Sequence, residues 1–159
     1  MKISSLTLNR MLAAGLIALS LAPAFAADSA PPTDKLAEAR TRIAAKQWTG
    51  AIEELKRVND TGSADWNNLM GYSLRKAKTP DLAGSERYYD AALRIDPAHR
   101  GTLEYSGELY LMKGDLPMAE KRLATLDQVC KLPCAEYTGL KNAIAQYKAA
   151  GNKATAGAY

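Results

Sequence analysis

Small residues stand at Ala51, Ser85 and Ala119, 34 positions apart each time, and three further sets of residues keep the same interval. Trp48, Leu82 and Leu116 precede the small residues, Leu55, Tyr89 and Leu123 follow them, and Val58, Ala92 and Leu126 close the register. A fixed period of this size means one supersecondary unit repeated, each copy burying its apolar face only against the next. The interval suits a helix-turn-helix unit, so the chain is expected to stack helix pairs into a solenoid. Such an architecture predicts a binding scaffold before it predicts a catalyst, and it does not name the partner.

The first residues read as an address. Lys2 and Arg10 form a basic stretch, Met11 to Ala22 is an apolar run, Pro23 breaks it, and Ala24-Phe25-Ala26 supplies a small-x-small cleavage site. Cleavage is expected after Ala26. An uncleaved membrane anchor would need roughly 20 apolar residues, and Asp28 with Pro31-Pro32 follows too soon. Removing residues 1–26 leaves 133 residues and lowers the formal charge from +4 to +2, because two basic residues leave and no acidic one does. The predicted product is exported, without a membrane span. Lys and Arg alternate with Glu, as in Glu53-Glu54-Leu55-Lys56-Arg57. This is the pattern of a solvated helix face and not the concentrated basic stripe of a nucleic-acid binder.

Apolar periodicity places the helices. The first pair is expected over about Asp34 to Lys46 and Thr49 to Asn59, the second over Ala64 to Ala77 and Asp81 to Ile95, the third over Ala98 to Lys113 and Asp115 to Val129. Asp96-Pro97 and Gly114-Asp115 mark boundaries by helix-ending and N-capping chemistry. Beyond them, Tyr137, Leu140, Ile144 and Tyr147 draw one apolar stripe, predicting a further helix from Ala135 to Ala149 that caps the open end. Residues 27–33 and 151–159 show no periodicity and are expected to be flexible.

On these residues the chain resembles the tetratricopeptide repeat (TPR) family, over about Asp34 to Cys130. Gly107, Tyr110, Gly114-Asp115, Ala119 and Leu123 match the family's spaced pattern in the third unit, and Gly71, Ser85, Tyr89, Ala92 and Asp96-Pro97 match it in the second. The first unit departs, with Ala39, Trp48 and Ser63 at marker positions. The fold implied is all-α, a TPR-like solenoid of three antiparallel helix pairs (repeats about 34–62, 63–97 and 98–130) plus the C-terminal capping helix, a domain spanning 34–150. Gly71 and Gly107 are expected to let paired helices approach closely, beside the small Ala51, Ser85 and Ala119. Gly71 and Gly107 lie 36 apart, not 34, so two extra residues are expected in the turn from Lys76 to Pro80.

The resemblance implies that the first helix of each pair lines a concave groove. Carried over by spacing from the two glycines, the groove residues would be Asp65, Asn68, Tyr72 and Arg75 in the second unit and Glu104, Glu108 and Leu111 in the third. That set suits an extended peptide. The basic clamp by which some TPR domains hold a C-terminal carboxylate is not reproduced, with Leu69 and Glu104 at positions where polar or basic residues would serve.

The one reactive constellation is Cys130-Lys131-Leu132-Pro133-Cys134. In an exported chain two cysteines usually pair, and a disulfide here would pin the third unit to the capping helix. Two alternatives stay open: a thiol-redox couple, although the spacing is not the Cys-x-x-Cys of thioredoxin-type motifs, and a soft-metal thiolate site, for instance for Cu(I). This segment, with Ala135-Glu136-Tyr137 and Leu140, is similar to the end of small exported TPR proteins of Gram-negative bacteria. His99 is the single histidine and lies beside Pro97. No Gly-x-Ser-x-Gly elbow, Gly-rich phosphate loop or haem-attachment motif occurs. The chain is therefore expected to be no enzyme, to need no cofactor, and to work in the periplasm as a partner-binding module.

Overall fold

Helices account for all the regular structure in residues 34–132 and 134–154, which the computed structural model describes. They are α1 (Ala37–Ala44), α2 (Trp48–Val58), α3 (Ala64–Lys76), α4 (Leu82–Ile95), α5 (Arg100–Met112), α6 (Leu116–Val129) and α7 (Ala135–Ala149). The predicted signal segment 1–26, the segment 27–33 and residues 155–159 lie outside the described residues.

The helix starts follow from side chains that accept the orphan N–H groups of the first turn. Ser63 accepts from the Trp66 amide, Asp81 from Gly84 and Asp115 from Met118. At α5 the cap is His99, which accepts from the Thr102 amide, and at α7 it is the Cys134 sulfur, which accepts from Tyr137. The ends are equally local: Asn59 closes α2 with φ 50°, and Gly114 turns the chain between α5 and α6 with φ 80°. The first helix is shorter than periodicity implied. Asp34 accepts from the Leu36 amide at 2.9 Å instead of joining the helix, and Lys46, with φ 57°, terminates the turn after it. The longer connection falls where the register placed it, in residues 77–81, where the Asp81 amide donates to the Leu74 carbonyl at 3.1 Å.

Pairing is sequential. Helices α1 and α2, α3 and α4, and α5 and α6 pack as partners, and α7 lies against α5 and α6. Each odd-numbered helix also packs on the next, α1 with α3, α3 with α5 and α5 with α7, while the even-numbered helices stand farther apart, α6 reaching α4 through Arg122, 3.7 Å from Asp90. Side-chain pairs between α3 and the start and body of α5 keep a separation of 33 or 34: Asp65 with His99, Tyr72 with Tyr105, Arg75 with Glu108. A constant offset means that the two helices run side by side in the same direction.

Ala51, Ser85 and Ala119 are completely buried. A methyl group at Gly71 would lie 2.7 Å from Tyr89 Cε1 and 3.1 Å from the Ser85 carbonyl, so this glycine does let α3 close onto α4. Gly107 behaves differently. The atoms nearest to a methyl there belong to Leu140 of α7, at 2.5 Å, so this glycine also admits the capping helix. Apolar burial is divided between two clusters. One joins Leu36, Ala39, Leu55, Trp66, Leu69 and Met70; the other is built around Leu103, Leu126, Leu140, Ile144 and Tyr147.

Candidate functional site

The α3 residues expected in the groove recur on one helical face, and each meets α5 or its neighbours. Asp65 is held from two sides. Arg40 Nη2 of α1 donates to one carboxylate oxygen at 2.9 Å, and His99 Nε2 lies 2.9 Å from the other. Because His99 Nδ1 accepts from the Thr102 amide at 3.1 Å, its proton is assigned to Nε2, which donates to Asp65. The hydrogen bond from His99, reinforced by the Arg40 charge against the cost of burial, holds the Asp65 carboxyl below its usual value. Asp65 is thus a tie between α1, α3 and the start of α5. Asn68 is buried, with its Oδ1 unpartnered and its amide nitrogen packed near Gly101.

Further along α3, Tyr72 and Arg75 join α5. The Tyr72 ring meets Trp48 edge-on at 5.9 Å between centroids and lies tilted on Tyr105 at 4.5 Å. Arg75 is fully enclosed. Its Nη2 donates to Glu108 Oε2 at 2.6 Å, and its guanidinium lies over both rings, 5.5 Å from the centroid of Tyr72 and 5.8 Å from that of Tyr105. Arg75 therefore does not stand free in a groove; it is a buried strut that aligns the two tyrosines and engages Glu108. Burial raises the Tyr72 phenol and pushes the Tyr105 phenol up to about 12, the latter helped by the nearby Glu104 charge. Both hydroxyls stay protonated at neutral pH.

Glu104, one residue before Tyr105, is half-buried and has no hydrogen-bond or ion-pair partner among the described residues. Its Oε1 sits where a Cβ on Gly139 would go, so the carboxylate rests against the backbone of α7. Burial, then the like charges of Glu108 and Glu136, push its carboxyl up to about 7, with Arg75 opposing. Glu136 itself is 3.9 Å from Arg100. Leu111, expected among the groove residues and two turns along the same face of α5 as Glu104, is instead fully buried in the cluster of the third pair and α7.

Tyr105, Trp48, Glu136 and Gly139 belong to this arrangement and were not among the sequence-derived groove residues. Tyr105 carried a signal, since it follows Tyr72 by 33 positions; transfer from the glycines, which lie 36 apart, passed over it. Gly139 carried none, because a glycine that admits a carboxylate from another helix has no local pattern.

Cys130 and Cys134 are joined as a disulfide, from the end of α6 to the start of α7. Leu132 between them is largely exposed, and an open cavity beside the bond is bordered by Arg100, Leu132 and Glu136. Among the described residues, no group of three His, Cys, Asp or Glu side chains is placed to hold a metal ion, and no helix is long and apolar enough to cross a membrane. In comparison with known proteins, the chain matches no family model, no curated protein and no solved structure.

Proposed function

We propose that this protein is a non-catalytic, periplasmic protein-protein interaction scaffold of the TPR type, which holds a peptide or protein partner along the face shared by α3 and α5. The observation that carries the reading is the aromatic run Trp48, Tyr72 and Tyr105, laid across consecutive units and stiffened by the buried Arg75–Glu108 pair. Rigid aromatic surface gives much contact at little entropic cost, and such anchors tend to dominate interfaces. The 34-residue period and the side-by-side odd helices support a repeat solenoid. The apolar run and small-residue site at Ala24-Phe25-Ala26 support export. The bonded cysteines act in this reading as a staple between α6 and α7.

Affinity capture from periplasmic extract tests it. The Tyr72→Ala, Tyr105→Ala variant is expected to lose the partner while keeping its helical circular dichroism. Lys56→Ala, Arg57→Ala, on the exposed side of α2, is expected to retain it. The opposite result moves the binding surface to α2. N-terminal sequencing of the periplasmic protein checks the export step, the expected first residue being Ala27.

A further inference from the structure

The charges along the α3 and α5 face do not cancel. Both oxygens of Asp65 are taken, by Arg40 and His99. Glu108 is taken by Arg75, and Glu136 has Arg100 at 3.9 Å. Glu104 is left over. It is half out of water, pressed against the α7 backbone at Gly139, and the like charges of Glu108 and Glu136 act on it. The cation that opposes them, Arg75, is already committed to Glu108. A carboxylate in that position loses hydration without a counter-ion in return. Next to it in sequence is the ring of Tyr105, and the Tyr72–Tyr105 pair already lies against one guanidinium, that of Arg75. Aromatic faces attract cations through their quadrupole. An incoming acidic side chain would instead meet Glu104, Glu108 and Glu136 together and be repelled.

We propose that Glu104 and Tyr105 form the receptor for a basic side chain, Lys or Arg, on the polypeptide partner. The proposal rests on the groove-binding reading above and specifies what that groove selects. The basic group neutralises the one carboxylate on this face that lacks an internal partner, and the aliphatic stem or guanidinium plane lies along the tyrosine. Gly139 is a positioning residue, because its missing side chain leaves the place that the Glu104 carboxylate occupies. Protonation of Glu104 removes the attraction, so binding weakens as pH falls through about 7.

The test is a backbone-amide NMR titration of the ¹⁵N-labelled protein with three synthetic peptides of one Gly/Ser/Leu background, carrying Arg, Gln or Glu at the same positions, and with spermidine. The Arg peptide is expected to shift the amides of Glu104, Tyr105 and Gly139. Its affinity should drop at least tenfold in Glu104→Gln, and severalfold between pH 8 and pH 6 in the native protein. Gly139→Ala, which keeps the charge but displaces the carboxylate, is expected to weaken it as well and decides the matter if Glu104→Gln misfolds. Equal binding of the Gln or Glu peptide at these amides, or an affinity within twofold in both variants, overturns the basic-side-chain receptor while leaving the groove reading intact. Spermidine binding as tightly as the Arg peptide overturns the assignment to a polypeptide. No shift on α3 or α5 with any of the three peptides overturns the groove reading itself.

Discussion

Replacing Glu104 by Gln removes one charge and almost no volume, so any change in stability reports on electrostatics. Burial first, and then Glu108 and Glu136, carry this carboxyl from an unfolded value of 4.5 to about 7 in the folded chain. Across that window the folded state holds a proton that the unfolded state has released. Folding stability from this group is therefore fully present below about pH 4.5 and is lost as pH rises through about 7. A shift of this size corresponds to a ceiling of about 3 kcal/mol. Part of the carboxyl still faces water, and screening of that part reduces the expected figure to about 1–2 kcal/mol. Glu104→Gln is thus expected to match the native protein near pH 4.5 and to exceed its stability by that amount at pH 8.5. Urea denaturation followed by helical circular dichroism at four pH values measures the difference, and the other carboxylates largely cancel because both proteins contain them. A difference that does not vary with pH, or a Gln variant less stable at pH 8.5, would refute the placement of an unpaired carboxylate on this face.

Three further outcomes follow from the packing. Gly71→Ala puts a methyl 2.7 Å from Tyr89 and is expected to cost about 1–3 kcal/mol, whereas Gly62→Ala meets no atom within 4 Å and is expected to be neutral or slightly stabilising; equal melting temperatures for the two would contradict the α3–α4 approach. Ala119→Trp overfills a completely buried position, so thermal melts should show a loss of about 1–3 kcal/mol or more. In Cys130→Ser, Cys134→Ser the serine at 134 can still cap α7, so the expected loss of about 2 kcal/mol reports the closed five-residue loop alone; hydrogen exchange should then quicken first in α7, and unchanged exchange there would remove the staple role.

What was legible in the sequence was whatever one element decides by itself. Apolar spacing and cap residues located the helices to within a few residues, Asp81 and Asp115 announced their starts, and the extra residues before α4 were countable from two glycines. Relations between elements were harder to see. Arg75 is expected from its spacing to line an open groove, yet it is enclosed because Glu108 and two tyrosines arrive from or beside another helix. His99 read as an isolated side chain in a turn. Its work as both cap of α5 and donor to Asp65 depends on α3 passing one unit away. Gly107 looks like Gly71 by motif, yet the side chain against it is Leu140 of α7, a helix outside the repeated units. The 34-residue period describes equivalent positions in the chain; the side-chain pairs across units follow the lateral offset, which made Tyr105 the neighbour of Tyr72.

The division of apolar burial into two clusters, one on α1 to α3 and one on α5 to α7, has a bearing on cooperativity. Arrays of repeats unfold as coupled nearest neighbours, and each half here possesses its own reason to stay folded. The junction joins them through α4, which places Tyr88 beside one cluster and Leu93 beside the other, and through the pairs Asp65–His99, Tyr72–Tyr105 and Arg75–Glu108. Buried polar pairs fix geometry more than they add net free energy, so the coupling between halves is expected to be weaker than the cohesion within either. The described helices are then expected to open as two foldons, which native-state hydrogen exchange would resolve as two protection levels. A ligand lying across Tyr72 and Tyr105 would span that seam, and occupancy would convert two partly independent units into one cooperative body.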